Sequence, residues 1–229
     1  MELTYTILIP AYNAENSLAE LLESIQQHTA EFSPEKLIVV DDGSTDDTCN
    51  IARSHAVELI SLPENRGKGA ALKAGYAHFL SACRGDYLLT LDADLQHPPQ
   101  NIPDFLQTAR RLNSRVVIGQ RNFTPPAMPL MRVLSNTLTS QILSGLTGRP
   151  IPDSQCGFRL IHREVLKKMA LRENGFQLES EFFFRCRDLN VKIDFCPIPT
   201  VYNQYGSSMR HVHDTVKFLQ LLGREVFKR

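Results

Sequence analysis

Several absences narrow the reading of this 229-residue sequence before any motif is considered. No run approaches the ~20 apolar residues of a membrane-spanning helix, and no basic segment followed by an apolar stretch opens the chain. A protein that is soluble in the cytoplasm, or peripheral on the cytoplasmic face of a membrane, is therefore expected. Neither sign of charge is in excess, since Lys plus Arg and Asp plus Glu are both 25. Nothing in that balance calls for nucleic acid or an anionic membrane surface, so any basic site must be local. The five cysteines, at 49, 83, 156, 186 and 196, include no CxxC pair, which argues against zinc and for reduced thiols. No GxGxxG follows the first apolar run, and Gly67-Lys68-Gly69 lacks the frame of a phosphate-binding P-loop. The chain has no internal repeat and no low-complexity segment.

What is present has the rhythm of an α/β protein, and the length suits one such domain. Residues 4–10 read as a strand and 15–28 as a helix, with Leu18, Leu21, Leu22 and Ile25 at helical spacing. Residues 36–41 form a continuous apolar run suited to a buried parallel strand. A second helix, capped by Ser44 or Thr45, runs to about His55. A third strand (56–62), an Ala-rich helix (67–83) and a fourth strand (86–92) complete a doubly wound order, which places ligands at the carboxyl ends of the strands. A helix over 103–112 and a strand over 115–119 follow.

The second half is less regular. Residues 122–131 read as a loop, 132–146 as a helix, 158–162 as a strand, 176–189 as a helix and 191–201 as an edge strand carrying Pro197 and Pro199. From 211 to 228, Val212, Val216, Leu219, Leu222 and Val226 make an apolar stripe expected to pack on the domain, a membrane-surface helix being the alternative. Residues 1–120 thus read as a nucleotide-binding half and 121–229 as a second half ending in an amphipathic helix.

Three of these strand ends carry polar constellations: Pro10-Ala11-Tyr12-Asn13, Asp41-Asp42-Gly43-Ser44 and Asp92-Ala93-Asp94. Carboxylates there can bond the base and ribose of a nucleotide, while Asp94 with Asp92 or Gln96 can hold a hard divalent cation against a diphosphate. Any single Asp reads equally well as a turn or capping residue, but the full set does not. Lys68, in a Gly-Lys-Gly turn opening a helix, can reach phosphate, although a helix start alone explains the glycines. The histidines at 97, 162, 211 and 213 read as surface or turn residues. Cys156 reads as a packing residue.

Four blocks together, Ile9 to Asn13, Val39 to Asp46, Asn65 to Gly69 and Leu91 to Pro99, resemble the family-2 glycosyltransferases of the GT-A fold. The Asp-Ala-Asp-Leu-Gln-His-Pro-Pro form, Gly119-Gln120-Arg121 and Asp153 to Arg159 are closest to the dolichyl- or polyprenyl-phosphate mannosyl- and glucosyltransferases. The resemblance spans about residues 7–160 and implies one Rossmann-like domain with a mostly parallel central sheet flanked by helices. It implies that Pro10, Tyr12, Glu15 and Asp42 line the nucleotide pocket, beside Asp41, Lys68 and Ala93. It implies that Asp92, Asp94 and Gln96 bind Mg2+ or Mn2+ on the diphosphate of a nucleotide-sugar. Arg121 and Arg132 would lie near the transferred sugar and the acceptor phosphate, and the anomeric centre would invert.

The implied reaction moves a hexose, from GDP-mannose or UDP-glucose, to a polyprenyl or dolichyl phosphate. A phosphomonoester, with a second pKa of about 6, is mostly dianionic at neutral pH and needs no general base. A hydroxyl acceptor, as in cell-surface polysaccharide synthesis, needs one; Asp153, Glu179 and Glu181 are the candidates, Asp153 first. For Glu179 and Glu181 a solvated position or an ion pair with Arg185 is an equal reading. A further alternative is a protein that keeps the nucleotide-sugar pocket without turnover. Many lipid-phosphate transferases carry C-terminal membrane helices that this sequence lacks, so a membrane partner subunit or the 211–228 helix would supply the membrane contact; a homo-oligomer is the other partnership expected.

Overall fold

All seven residues of β1 (Tyr5–Ala11) are buried, and this strand lies inside a seven-stranded sheet. The structure, a computed structural model, describes residues 3–122, 130–201 and 211–227, with the backbone alone for 130–132 and 211–214. The expected alternation is present: β1, α1 (Leu18–His28), β2 (Leu37–Asp41), α2 (Thr48–Ser54), β3 (Glu58–Ser61), α3 (Lys68–Ala82) and β4 (Tyr87–Thr90). A 3-10 turn (Pro99–Asn101) leads into α4 (Ile102–Leu112), then β5 (Val116–Arg121) and α5 (Leu130–Thr147). The remainder is β6 (Arg159–His162), a short α6 (Arg163–Lys168), α7 (Leu178–Asp188), β7 (Asp194–Ile198) and α8 (His211–Val226).

The sheet order is β3-β2-β1-β4-β6-β5-β7. β1 pairs in parallel with β2 and β4, β2 with β3, and β5 with β7, whereas β6 is antiparallel to both neighbours. Six strands therefore point one way and one points back, a single α/β domain with a mostly parallel sheet. Ile7, Leu8, Ile9, Ile38, Val39, Val40, Leu88 and Leu89 are fully buried in its centre. Burial of each such side chain contributes about 1.5–3 kcal/mol, which is why continuous apolar runs mark these strands. β7 lies at the sheet edge, as its proline requires.

The reversed strand decides where the second half of the chain meets the first. Thr90 at the carboxyl end of β4 is in register with Arg159 at the amino end of β6. The residues that lead into β6 thus arrive at the same rim as those that leave β1, β2, β4 and β5. Nothing in the apolar pattern of β6 distinguishes its direction.

Two local expectations are corrected. The second helix is capped not by Ser44 or Thr45 but at Asp47, while Asp46 Oδ1 accepts Thr48 N at 3.0 Å. On α8, Leu222 of the expected stripe packs against the core, but Val216, Leu219 and Val226 are exposed, and the buried positions are Leu221 and Glu225. Glu225 pairs with Arg185 and Arg187 of α7, which turns the helix away from its apolar stripe. The side chain of Val212 and most of the expected 122–131 loop lie outside the described residues. Among the described residues no helix is long and apolar enough to cross a membrane.

Candidate active site

The first two strand ends are fastened to each other. Pro10 is buried within β1, and Tyr12, just past its end, is 38% exposed. Asn13 adopts a left-handed φ of 48°, with its N–H on Ser44 Oγ and its Oδ1 accepting Thr45 N, both at 2.9 Å. Glu15 Oε2 accepts Asp47 N at 3.1 Å, and Glu15 N donates to Asp46 Oδ2 at 3.1 Å. Asp41 and Asp42 are 2% exposed. Asp41 accepts from Ser44 N at 3.2 Å and from Cys49 Sγ at 3.1 Å. Asp42 accepts from Arg66 N at 3.0 Å and Gly67 N at 2.7 Å. Burial raises the Asp42 pKa against those two backbone bonds. At the rim where they are expected to line a nucleotide pocket, both carboxylates brace loops.

Asp42 in turn fixes Lys68. The Gly67-Lys68-Gly69 turn is squeezed between Asp42 and the loop ahead of α7, where Ala70 N donates to Asn174 O at 2.9 Å. A Cβ on Gly67 would stand 2.7 Å from Asn174 O, and one on Gly69 2.7 Å from Asn174 C, so close backbone approach explains both glycines. Lys68 Nζ then lies 2.6 Å from Asp92 Oδ1 and 2.6 Å from Glu179 Oε1. Burial opposes the ammonium charge, but the two carboxylates outweigh it and push the Lys68 pKa up. The Asp92 carboxyl is likewise raised by burial and lowered further by Lys68, His97 and Arg121, which leaves it at about 2. A cavity of about 10 Å³ beside them, lined by Tyr76, Thr90, Gly157 and Arg159 among others, has room for about one water.

Asp94 Oδ1 accepts Gln96 N at 3.0 Å across a tight turn whose middle residue, Leu95, has φ 60°. A bulky residue with positive φ is costly and persists only where its surroundings impose it. Here it brings Asp94 and Gln96 together. His97, expected at the surface, is 2% exposed. Its Nδ1 accepts Asp92 N at 3.1 Å, and its Nε2 lies 3.8 Å from Cys156 Sγ. Burial lowers the His97 pKa in spite of Asp92 and Asp94. His97 therefore holds the Asp92 backbone as a neutral acceptor, a role with no signal in sequence because nothing local marks a buried histidine.

The segment leading into β6 supplies the opposite wall. Asp153 is fully buried and grips Arg121 through Nε to Oδ2 at 2.7 Å and Nη2 to Oδ1 at 3.0 Å. Burial works against the guanidinium charge and Asp153 outweighs it, so the Arg121 pKa is raised. Ser154 N donates to Ser140 Oγ of α5 at 3.0 Å. A Cβ on Gly157 would meet Asp92 Oδ2 at 2.6 Å, so only glycine leaves that carboxylate its place. Arg159, 3% exposed, donates to the carbonyls of Cys156 at 2.8 Å and Glu179 at 3.2 Å. Cys156 is fully buried and its thiol pKa is pushed up to about 12 by burial, which agrees with packing.

Of the three carboxylates considered as a base, each is already engaged. Asp153 is held by Arg121 and Glu179 by Lys68. Glu181, 1% exposed, accepts Arg172 N and Glu173 N at 2.9 Å, with Arg185 Nε at 3.6 Å. The expected Arg185 pair is therefore present, and the solvated position is not. The side chain of Arg132 lies outside the described residues.

The donors Asp92, Asp94 and Gln96 are hard oxygens at an accessible strand end, which fits a divalent cation such as Mg2+ or Mn2+. Among the described residues no three His, Cys, Asp or Glu side chains converge on one point. Asp92 is in addition already neutralised by Lys68.

The fold is shared with solved glycosyltransferases. Glucosyl-3-phosphoglycerate synthase from Mycobacterium tuberculosis, seen with Mn2+ and UDP, superposes with a TM-score of 0.77 over 97% of this chain and 79% of that one, at 20% identity. This is the GT-A fold. The model of the Glycosyl transferase family 2 matches residues 6–170, and the chain belongs to that family. Dolichyl-phosphate beta-glucosyltransferase ALG5A of Trichomonas vaginalis is 31% identical over 93% of this chain and 69% of its own. Undecaprenyl-phosphate 4-deoxy-4-formamido-L-arabinose transferase of Proteus mirabilis is 33% identical over 72% of this chain and 50% of its own.

Proposed function

We propose that this family-2 glycosyltransferase inverts and transfers a hexose from a nucleotide-sugar, GDP-mannose or UDP-glucose, to a polyprenyl or dolichyl phosphate at a membrane surface. The observation that carries the acceptor class is the engagement of all three candidate bases, Asp153, Glu179 and Glu181. A hydroxyl nucleophile requires a group able to take its proton, and these three carboxylates are the candidates for it. A phosphomonoester dianion does not, because its second pKa is about 6. The names of the two relatives, both lipid-phosphate transferases, support the same class.

Tyr12, with the loops braced by Asp41, Asp42 and Glu15 beside Pro10, forms the nucleotide pocket, and Ala93 allows close approach below it. Asp94, Gln96 and Asp92 would hold Mg2+ or Mn2+ there; such an ion, when bound, would stabilise the charge that develops on the leaving group. Arg121, fixed in position by Asp153, presents its guanidinium to the anionic acceptor, with Arg132 as its neighbour in that role. Residues 1–120 serve the donor and 121–229 the acceptor.

The test is transfer of radiolabelled sugar from a panel of nucleotide-sugars, with Mn2+, to polyprenyl phosphate, polyprenol and 3-phosphoglycerate in parallel. Labelled lipid is expected from polyprenyl phosphate alone. Transfer to polyprenol or phosphoglycerate with none to the lipid phosphate overturns the acceptor, and failure with every donor favours the binding protein without turnover.

A further inference from the structure

The ammonium of Lys68 stands where a divalent cation would draw its charge. It is 2.6 Å from Asp92 Oδ1 and 2.6 Å from Glu179 Oε1, and the side chains of Lys68, Asp92 and Glu179 are only 15%, 20% and 9% exposed. Its root cannot withdraw, because Asp42 accepts Gly67 N and the Asn174 backbone abuts Gly67 and Gly69. Asp92 cannot swing away either, since Gly157 and the His97 bond to the Asp92 N–H confine it.

We propose that Lys68 is an internal counter-ion that competes with the divalent cation for Asp92, and that Glu179 is the positioning residue that receives Lys68 when Asp92 is claimed. This rests on the metal site proposed above. Two cations sharing one carboxylate repel strongly at this degree of burial. In the free protein Asp92 is internally neutralised, so the ion binds weakly. A diphosphate offers the ammonium a second anion and draws it off Asp92, so ion and nucleotide bind together. Release of the nucleotide returns Lys68 to Asp92 and expels the ion. The rim is thereby guarded against a resident metal without donor.

The test is Mn2+ affinity, read by the loss of the free-ion EPR signal, with and without UDP or GDP. Without nucleotide, Lys68→Met is expected to bind Mn2+ about tenfold to hundredfold more tightly than wild type, the scale on which one neighbouring unit charge moves an equilibrium. The nucleotide should then improve Mn2+ binding far less than it does in wild type. Glu179→Gln should weaken Mn2+ binding in the wild-type background and have no effect in the Lys68→Met background, since it acts through Lys68. Lys68→Gln, which can still bond both carboxylates, replaces Lys68→Met should that variant not fold. Unchanged or weaker Mn2+ binding on loss of Lys68, or an equal Glu179→Gln effect in both backgrounds, overturns the competition. Wild type that binds no Mn2+ even with nucleotide overturns the metal site itself, a separate result.

Discussion

Arg121 and Asp153, 32 residues apart in sequence, face each other through two parallel hydrogen bonds of 2.7 and 3.0 Å, with the carboxylate fully buried. A buried carboxylate that faces a guanidinium so closely orients it, with both of its oxygens engaged.

Asp153→Asn is therefore expected to cost about 3–5 kcal/mol of stability, because it strands a buried cation. Transfer should fall by at least about 10²-fold, the scale of losing one aimed electrostatic contact. The shape of the pH–rate profile should not change. A changed profile in the variant would show that Asp153 does more than position Arg121. Arg121→Lys should not restore function in place of Arg121, since an ammonium cannot reproduce the paired geometry.

Gly157→Ala places a methyl group 2.6 Å from Asp92 Oδ2. The overpacking should cost about 1–3 kcal/mol, and the displaced carboxylate should lower transfer about tenfold or more while the fold survives. Circular dichroism and the transfer assay together check this; full activity in the variant would mean that the Asp92 position is not needed.

The Lys68–Asp92 pair fixes the pH range over which it stabilises the fold. Asp92 is depressed to about 2 from its ordinary 3.8, so its contribution is complete above the ordinary value and is lost as pH falls through the folded one. Lys68 is raised from its ordinary 10.5, so its contribution is complete below that value and is lost only at higher pH. The stability of wild type that this pair supplies, from urea titrations, should be constant from about pH 4 to 10 and shrink below that range, whereas in Lys68→Met the unpaired Asp92 should take up its proton at a higher pH than in wild type. Wild-type stability that is lost on acidification already near neutrality, with no such difference in Lys68→Met, would contradict the assignment.

The sheet and the motifs were readable from sequence because they are local. Runs such as Ile7 to Ile9 and Ile38 to Val40 have no polar face, so they read as buried strands, and the acids that follow them mark strand ends. Pairings across the chain were not readable. Lys68 and Glu179 are 111 residues apart, and only the reversed direction of β6, invisible in a four-residue apolar run, brings Gly157 beside Asp92. His97 read as a surface or turn residue, yet the turn folds it inward onto the Asp92 N–H. The stripe on α8 misled for a related reason: burial of Glu225 on two arginines outweighs exposure of Val216 and Leu219.

Crystals grown with Mn2+ and a nucleoside diphosphate, measured at the manganese absorption edge, test the central claim most directly. The account predicts one anomalous peak at Asp92, Asp94 and Gln96 beside the diphosphate, with Lys68 moved off Asp92 toward Glu179 or phosphate. A diphosphate bound elsewhere, or a peak remote from Asp92, Asp94 and Gln96, would contradict it.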